Sequence, residues 1–325
     1  MPVVGIDVAK LTFEAAIWIG GRWKTLSFAN SSEGISKLQR LLGEQHHVCL
    51  EATGRYGATL AKSLHEAGHT VSVVNPMRIQ RYAESRLRRT KTDRADAILI
   101  AEFCDKEQPR AWKPLPPETE ELRELIRRRE HVLQMQQMER NRHLAGPVSP
   151  AVETSIERSL AFWKAELELI EQAIEAQIQS HETVKRQRDL LETIPGLGRI
   201  SAAILLAEIG DIHDFPTAKN LVAFAGLSPR ERSSGTSVRG HAGIAKMGNP
   251  RIRRVLYMSA LSAKRFNPPL RDFANRLAGS KPKKVIQVAV MRKLLHQVHA
   301  VLTYQQPFKA EPRARSMAGE ETAVD

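Results

Sequence analysis

The run VVGIDV at residues 3–8 is apolar except for Asp7, and that one carboxylate narrows what the chain can be. A charge inside an apolar strand is costly unless a cation or hydrogen bonds compensate it. The run also opens a regular series. TFEAAIWI (12–19) alternates, with Phe13, Ala15, Ile17 and Ile19 on one face, and WKTLSFAN (23–30) follows a Gly20-Gly21 turn, so three strands form an antiparallel meander. Next come a helix over about 32–43, a strand HVCLEAT (47–53), a helix over 56–67, a strand TVSVVN (70–75) and two further helical stretches. Strands that alternate with helices predict a parallel, crossed-over continuation of the sheet, so residues 1–108 read as an α/β domain.

Four prolines in PRAWKPLPP (109–117) mark a linker. Two long charged helices follow, about 118–145 and 151–184, within a helical middle assigned to 118–186. The second carries Ile156, Leu160, Trp163, Leu167, Ile170 and Ile174 at alternating steps of four and three, a coiled-coil seam that either an antiparallel hairpin or an oligomer contact would satisfy. From 187 to 310 the chain is mainly helical, and LLETIPGLGRISAAILLAEIGD reads as helix, tight PGLG turn, helix. The backbone N–H groups of such a turn can hold a phosphate. Residues 311–325 read as a disordered tail.

Charge is divided unevenly. Residues 217–315 hold 20 Lys+Arg against 3 Asp+Glu, while the rest of the chain holds 29 against 33. A polyanion therefore meets the C-terminal third first. With no 18-residue apolar run and no terminal basic amphipathic helix, nucleic acid is the polyanion expected and a membrane is not. The N-terminus lacks a basic region and a cleavage site, and the two cysteines, Cys49 and Cys104, make no CxxC pair, which points to a reducing cytoplasm without disulfides or thiolate zinc.

HEAGH (65–69) matches a zinc-protease pattern by letter, but Gly68 is a helix stop and a strand follows, so His65 and His69 do not share a helix face. The carboxylates are more telling. Asp7 and Glu51 sit in or at the end of apolar strands; Asp93 and Asp96 lie three apart at the start of a helix, where Asp93 could also complete a capping box with Thr90. Four carboxylates from two strands and one helix repel one another unless cations neutralise them, and hard oxygen donors select Mg²⁺ or Mn²⁺. Two such ions about 4 Å apart can clamp a phosphodiester. The order of antiparallel then parallel strands is that of the ribonuclease H fold, as in Holliday-junction resolvases.

GIDVAK, LEATGRY, VVNPMR, KTDRADAILIAEF, IPGLG, FAGLSPRERSSGTSVRG and RRVLYMSA, in that order from Gly5 to about Phe308, resemble the motifs of the bridge-RNA-guided DEDD transposases of bacterial insertion sequences, family one hundred and ten. The resemblance implies that Asp7, Glu51, Asp93 and Asp96 are the catalytic, metal-holding carboxylates. It also implies that Ser234, which precedes Gly235, is a catalytic serine; Ser233 is a neighbouring hydroxyl distinguished from it by alignment alone. It further implies a noncoding bridge RNA that pairs with donor and target DNA, and a tetramer (a dimer of dimers) in which the two ends of the active site come from different protomers.

The reaction so implied is attack of Ser234 on a DNA phosphodiester, giving a covalent phosphoserine and a free 3′ hydroxyl. A serine hydroxyl needs activation, and no histidine or lysine sits at base spacing within ERSSGTSVRG, though His241 and Lys246 follow, so the carboxylate pocket is the expected activator and would meet this loop in a composite site. Arg230, Arg232 and Arg239 flank the loop, Lys246 follows it, and Arg251, Arg253, Arg254, Lys281, Lys283 and Lys284 would add salt-dependent phosphate contacts. Aromatic residues are only 5% of the chain, so little base reading by the protein is expected. Two other functions fit the same residues: a metal-dependent nuclease or strand-transferase that uses the carboxylates alone, and a non-catalytic nucleic-acid-binding protein.

Overall fold

The computed structural model describes residues 1–310 apart from 44, 53, 88–91, 147–148, 230–232, 235–237, 240–242 and 245–246. The expected tail at 311–325 lies outside the described residues. The chain divides into two compact units between Pro114 and Leu115.

The first unit contains β1 (Val3–Val8), β2 (Thr12–Ile19), β3 (Arg22–Ala29), α1 (Ser32–Leu42), β4 (His47–Glu51), α2 (Arg55–Glu66), β5 (Thr70–Val74), α3 (Pro76–Ser85) and α4 (Asp93–Glu107). One five-stranded sheet runs β3-β2-β1-β4-β5. The first three strands pair antiparallel and β1-β4-β5 pair parallel, as the alternation of elements predicts. Val4, Ile6 and Val8 of β1 join Val48 and Leu50 under the apolar faces of α1 and α2. Val3 and Cys49 join Leu99, Ile100 and Phe103 of α4 on the opposite face. Burial on both faces accounts for the nearly unbroken apolar run of β1, and the period of two assigns Asp7 to the α4 side.

Part of the proline-rich segment is tied to this unit. Ser72 Oγ contacts the carbonyl oxygens of Pro109 and Arg110 at 2.9 Å, and the Trp112 N–H donates to Val71 O. α2 ends at Glu66, Gly68 has φ +89°, and the buried His69 accepts from the His46 N–H, so His69 lies outside the helix that carries His65.

The second unit is mainly helical: α5 (Pro117–Leu144), α6 (Pro150–Gln179), α7 (Glu182–Glu192), α8 (Arg199–Ile209), α9 (Ala218–Phe224), α10 (Pro250–Phe266), α11 (Pro268–Ala278) and α12 (Lys283–Tyr304), with a short pair β6 (Ser233–Ser234) and β7 (Val238–Arg239). Gln177 Nε2 donates to Glu118 O, Arg129 pairs with Glu171 at 2.6 Å and Arg128 with Glu166 at 3.6 Å, so α5 and α6 form an antiparallel hairpin. Ile156 and Ile174 of the apolar seam are buried and Leu160, Trp163, Leu167 and Ile170 are partly covered. The second long helix does not run to 184 as the pattern predicts. Ser180 Oγ and His181 Nδ1 both contact Gln177 O, taking up a carbonyl of the last turn, and α7 starts afresh at Glu182. α7 and α8 flank a tight turn in which Gly196 has φ +108°. α12 is the central strut, burying Val290, Leu294, Leu295 and Val298 among α7, α9, α10 and α11.

Candidate active site

Asp7 lies near the C-terminal end of the central strand. β1 and β4 pair in parallel with Ile6 beside Leu50, so the next residues along, Asp7 and Glu51, share a level and a face. Ligand sites in α/β sheets form at these carboxyl ends. α4 crosses the same face with Asp93 and Asp96 in its first turn. Its cap is Thr92, whose Oγ1 accepts from the Ala95 N–H at 3.2 Å, so the expected capping box from Thr90 to Asp93 is corrected: Thr92 holds the cap position, leaving Asp93 as the first helical residue.

Gly5 sets how closely the helix and strand approach. A Cβ there would stand 2.2 Å from Ala101 N and 2.3 Å from Ala97 O. Only hydrogen at this position lets α4 lie directly on β1 and carry its two aspartates to Asp7. The electrostatic result is legible at Asp7 itself. Burial, then the negative fields of Asp96, Asp93 and Glu51 in that order, push its carboxyl from 3.8 up to about 6. The other three carboxylates therefore bear on Asp7.

The spacing of β2 adds Glu14, which pairs with Asp7 across the antiparallel ladder. One of its carboxylate oxygens is buried without a hydrogen bond. Only the register reveals this residue, since nothing in TFEAAIWI places Glu14 opposite Asp7. As a donor set, these hard oxygens suit Mg²⁺ or Mn²⁺. Among the described residues no three His, Cys, Asp or Glu converge tightly enough to hold one ion.

Ser234 belongs to the second unit. Ser233 pairs with Arg239 and Ser234 with Val238 in the β6-β7 ribbon, and Pro229 bridges Ile244 below it. The serine thus lies in a two-stranded ribbon between Leu227, which is buried in the helical core, and Ile244, which packs against that core. Arg230, Arg232 and Lys246 lie outside the described residues, and Arg239 is described by its backbone alone.

Two family profiles match the chain: a transposase profile of the IS110 DEDD type over residues 4–145, and the transposase IS116/IS110/IS902 family over residues 188–275. The pilin gene-inverting protein of Moraxella bovis is 35% identical over 314 residues, covering 94% of this chain and 97% of that protein. The chain belongs to the IS110 family of transposases. The transposase for insertion sequence element IS1111A of Coxiella burnetii is 37% identical over 90 residues, 28% of this chain and 23% of that protein. The transposase for insertion sequence element IS1328 of Yersinia enterocolitica is 23% identical over 229 residues, 62% of this chain and 66% of that protein.

Membership makes this protein a DNA transposase or recombinase, which sets aside the non-catalytic alternative. Its basic residues divide into two sorts. Lys281, Lys283 and Lys284 are exposed at the start of α12. Arg251, Arg253 and Arg254 instead hold protein groups: Arg251 Nε donates to Glu130 Oε2 at 2.5 Å, Arg254 also engages Glu130, and Arg253 Nη1 donates to Ala225 O at 2.9 Å. No helix among the described residues is long and apolar enough to cross a membrane.

Proposed function

We propose that this transposase exchanges DNA strands through a phosphoserine at Ser234, assisted by the carboxylates Asp7, Glu51, Asp93 and Asp96. The observation that carries the reading is the Asp7 carboxyl, raised to about 6 by burial and by the other three acids. A protein crowds acidic side chains from two strands and a helix around a buried carboxylate when a cation is to be bound there.

In the first step the Ser234 oxygen attacks phosphorus, the O–P bond to serine forms and the bond to the 3′ oxygen breaks. The serine proton is lost to solvent and the leaving oxygen takes one up as the 3′ hydroxyl. In the second step a 3′ hydroxyl attacks the partner's phosphoserine, restoring a phosphodiester and the serine. One phosphodiester is made for each broken, so neither hydrolysis nor ATP is needed. Mg²⁺ or Mn²⁺ held by the four carboxylates would supply Lewis-acid stabilisation of the phosphoryl oxygens. Arg230, Arg232, Arg239 and Lys246, from the serine's own segment, would neutralise charge on the phosphate.

The ribonuclease H-like reading of residues 1–108 is supported by the strand order, and that of 118–186 as a coiled-coil hairpin by the α5-α6 pairing. Residues 187–310 would form the basic domain, its α7-turn-α8 acting as a helix-hairpin-helix-like grip on nucleic acid. The carboxylates and Ser234 lie in different units, so the reading requires that they be brought together, within one chain or between the protomers of a tetramer. A guide RNA would choose donor and target DNA by base pairing. The name of the Moraxella bovis relative, a gene-inverting protein, fits chemistry in which every cut end is rejoined.

The test is a denaturing gel of protein incubated with element-end DNA and its flanking RNA, with and without Mg²⁺, followed by mass mapping of any protein–DNA adduct. An adduct on Ser234 that is absent from S234A is expected. Full recombination by S234A would overturn the serine reading in favour of the carboxylates alone.

A further inference from the structure

Glu208 is a buried carboxylate near the end of the apolar helix α8, 4% exposed, and the strand-exchange chemistry above leaves it without a role. Its Oε2 accepts from Asn249 Nδ2 at 2.6 Å. Its Oε1 is buried without a hydrogen bond, 3.8 Å from Arg251 Nε and 3.9 Å from Arg127 Nε. By packing alone, a buried charge of this kind is often replaceable by an apolar residue without loss of stability, so its presence calls for another explanation.

Asn249 follows the returning side of the segment that carries Ser234, five residues after Ile244, which packs against the core. Its Oδ1 caps α10 by accepting from the N–H groups of Arg251 and Ile252, and its own N–H donates to Phe224 O at 2.8 Å. One residue earlier, Gly248 presses on the other stem: a Cβ there would meet Phe224 O at 2.3 Å and Gly226 N at 2.5 Å. Arg253 reaches back to Ala225 O. The outgoing stem (224–226) and the returning stem (248–249) are thus clasped together. Glu208 ties the clasp to α8, and the Arg251–Glu130 contact ties it to α5.

We infer that Glu208 and Asn249 are positioning residues for strand transfer: their hydrogen bond, with the Gly248 and Arg253 contacts, fixes the root (224–227, 244 and 248–249) of the segment that carries Ser234. The inference rests on Ser234 being the nucleophile. Neither residue touches DNA in this role, so disturbing the pair alters the rate of the bound complex rather than its formation.

The experiment compares wild type, N249D, E208Q and the exchanged pair E208Q/N249D in single-turnover formation of the serine adduct at saturating DNA, with DNA affinity and melting temperature measured on each. In N249D two carboxylates face each other while the α10 cap is kept; its adduct rate is expected to fall about 100-fold, the scale of a misplaced reacting group. DNA affinity should stay within about two-fold. In the exchanged pair the donor and acceptor trade places, an amide on α8 donating to a carboxylate on the returning stem, and the rate should return to within about five-fold of wild type. If N249D lowers only the melting temperature and keeps the wild-type rate where it is folded, or if the exchanged pair does not recover, the positioning role is overturned. S234A run alongside separates the two failures: an adduct that survives in S234A removes the nucleophile, whatever the exchange shows.

Discussion

Gly5 on β1 and Ala97 on α4 are in backbone contact: a Cβ on Gly5 would lie 2.3 Å from the Ala97 carbonyl oxygen. Asp96 is the residue before Ala97, so the same contact that seats the helix also sets how far its carboxylates stand from Asp7. G5A should therefore act on both stability and chemistry. Overpacking of this kind costs about 1–3 kcal/mol, and the melting temperature should fall accordingly. Mg²⁺-dependent cleavage should fall further than the folded fraction does, because α4 must shift away from β1. G279A, at a glycine with open space around it, serves as the control and should change neither.

The raised Asp7 carboxyl makes a prediction with a definite sign. The folded chain holds this proton up to about pH 6, whereas the unfolded chain releases it near 3.8. Across that window the folded state binds more protons, so stability contributed by this group falls as pH rises, and the full deficit is present above about pH 6. In metal-free buffer at about pH 7.5, D7N should melt higher than wild type, with the difference closing near pH 4. Mg²⁺ should raise the melting temperature of wild type at neutral pH and leave D7N where it is. A D7N protein that melts below wild type in chelator would contradict the electrostatic account of the site.

Ser233 and Ser234 are successive positions of β6, and successive strand positions alternate faces. The resemblance assigns the attack to Ser234 and not to its neighbour. S233A should retain adduct formation within about ten-fold of wild type, while S234A should abolish it. The reverse pattern would move the nucleophile by one residue and keep the rest of the mechanism.

What the chain disclosed before its structure, and what it withheld, follows from the range of the interactions involved. Asp7 and Glu51 were legible because strand period and apolar context are local, and a carboxylate inside an apolar strand stands out within six residues. Glu14 was not, since its relation to Asp7 exists only through strand register. The α6 break at Ser180-His181 was missed because a side chain competing for one carbonyl leaves no mark on a seam of four-and-three steps. Arg251 and Arg254 read as free cations because their carboxylate, Glu130, is more than a hundred residues away. Glu208 drew no reading from the sequence, because its partner Asn249 lies 41 residues away.

The two sorts of cation give a last test. Lys281, Lys283 and Lys284 stand exposed at one helix start, so K281Q/K283Q/K284Q should leave the melting temperature nearly unchanged. If each neutralises one phosphate, the triple variant reduces the slope of log affinity against log salt by about 2.7, at roughly 0.9 for each contact. R251Q/R254Q strips both guanidiniums from Glu130, which those two arginines hold below the usual carboxylate range against the opposing effect of burial. Its expected signature is the opposite one: a lower melting temperature, the loss being greatest at neutral pH where Glu130 is ionised, and a smaller change in salt slope. Thermal melts and salt-dependent binding on the two variants separate the roles; a large slope change with an unchanged melt in R251Q/R254Q would reassign those arginines to the nucleic acid.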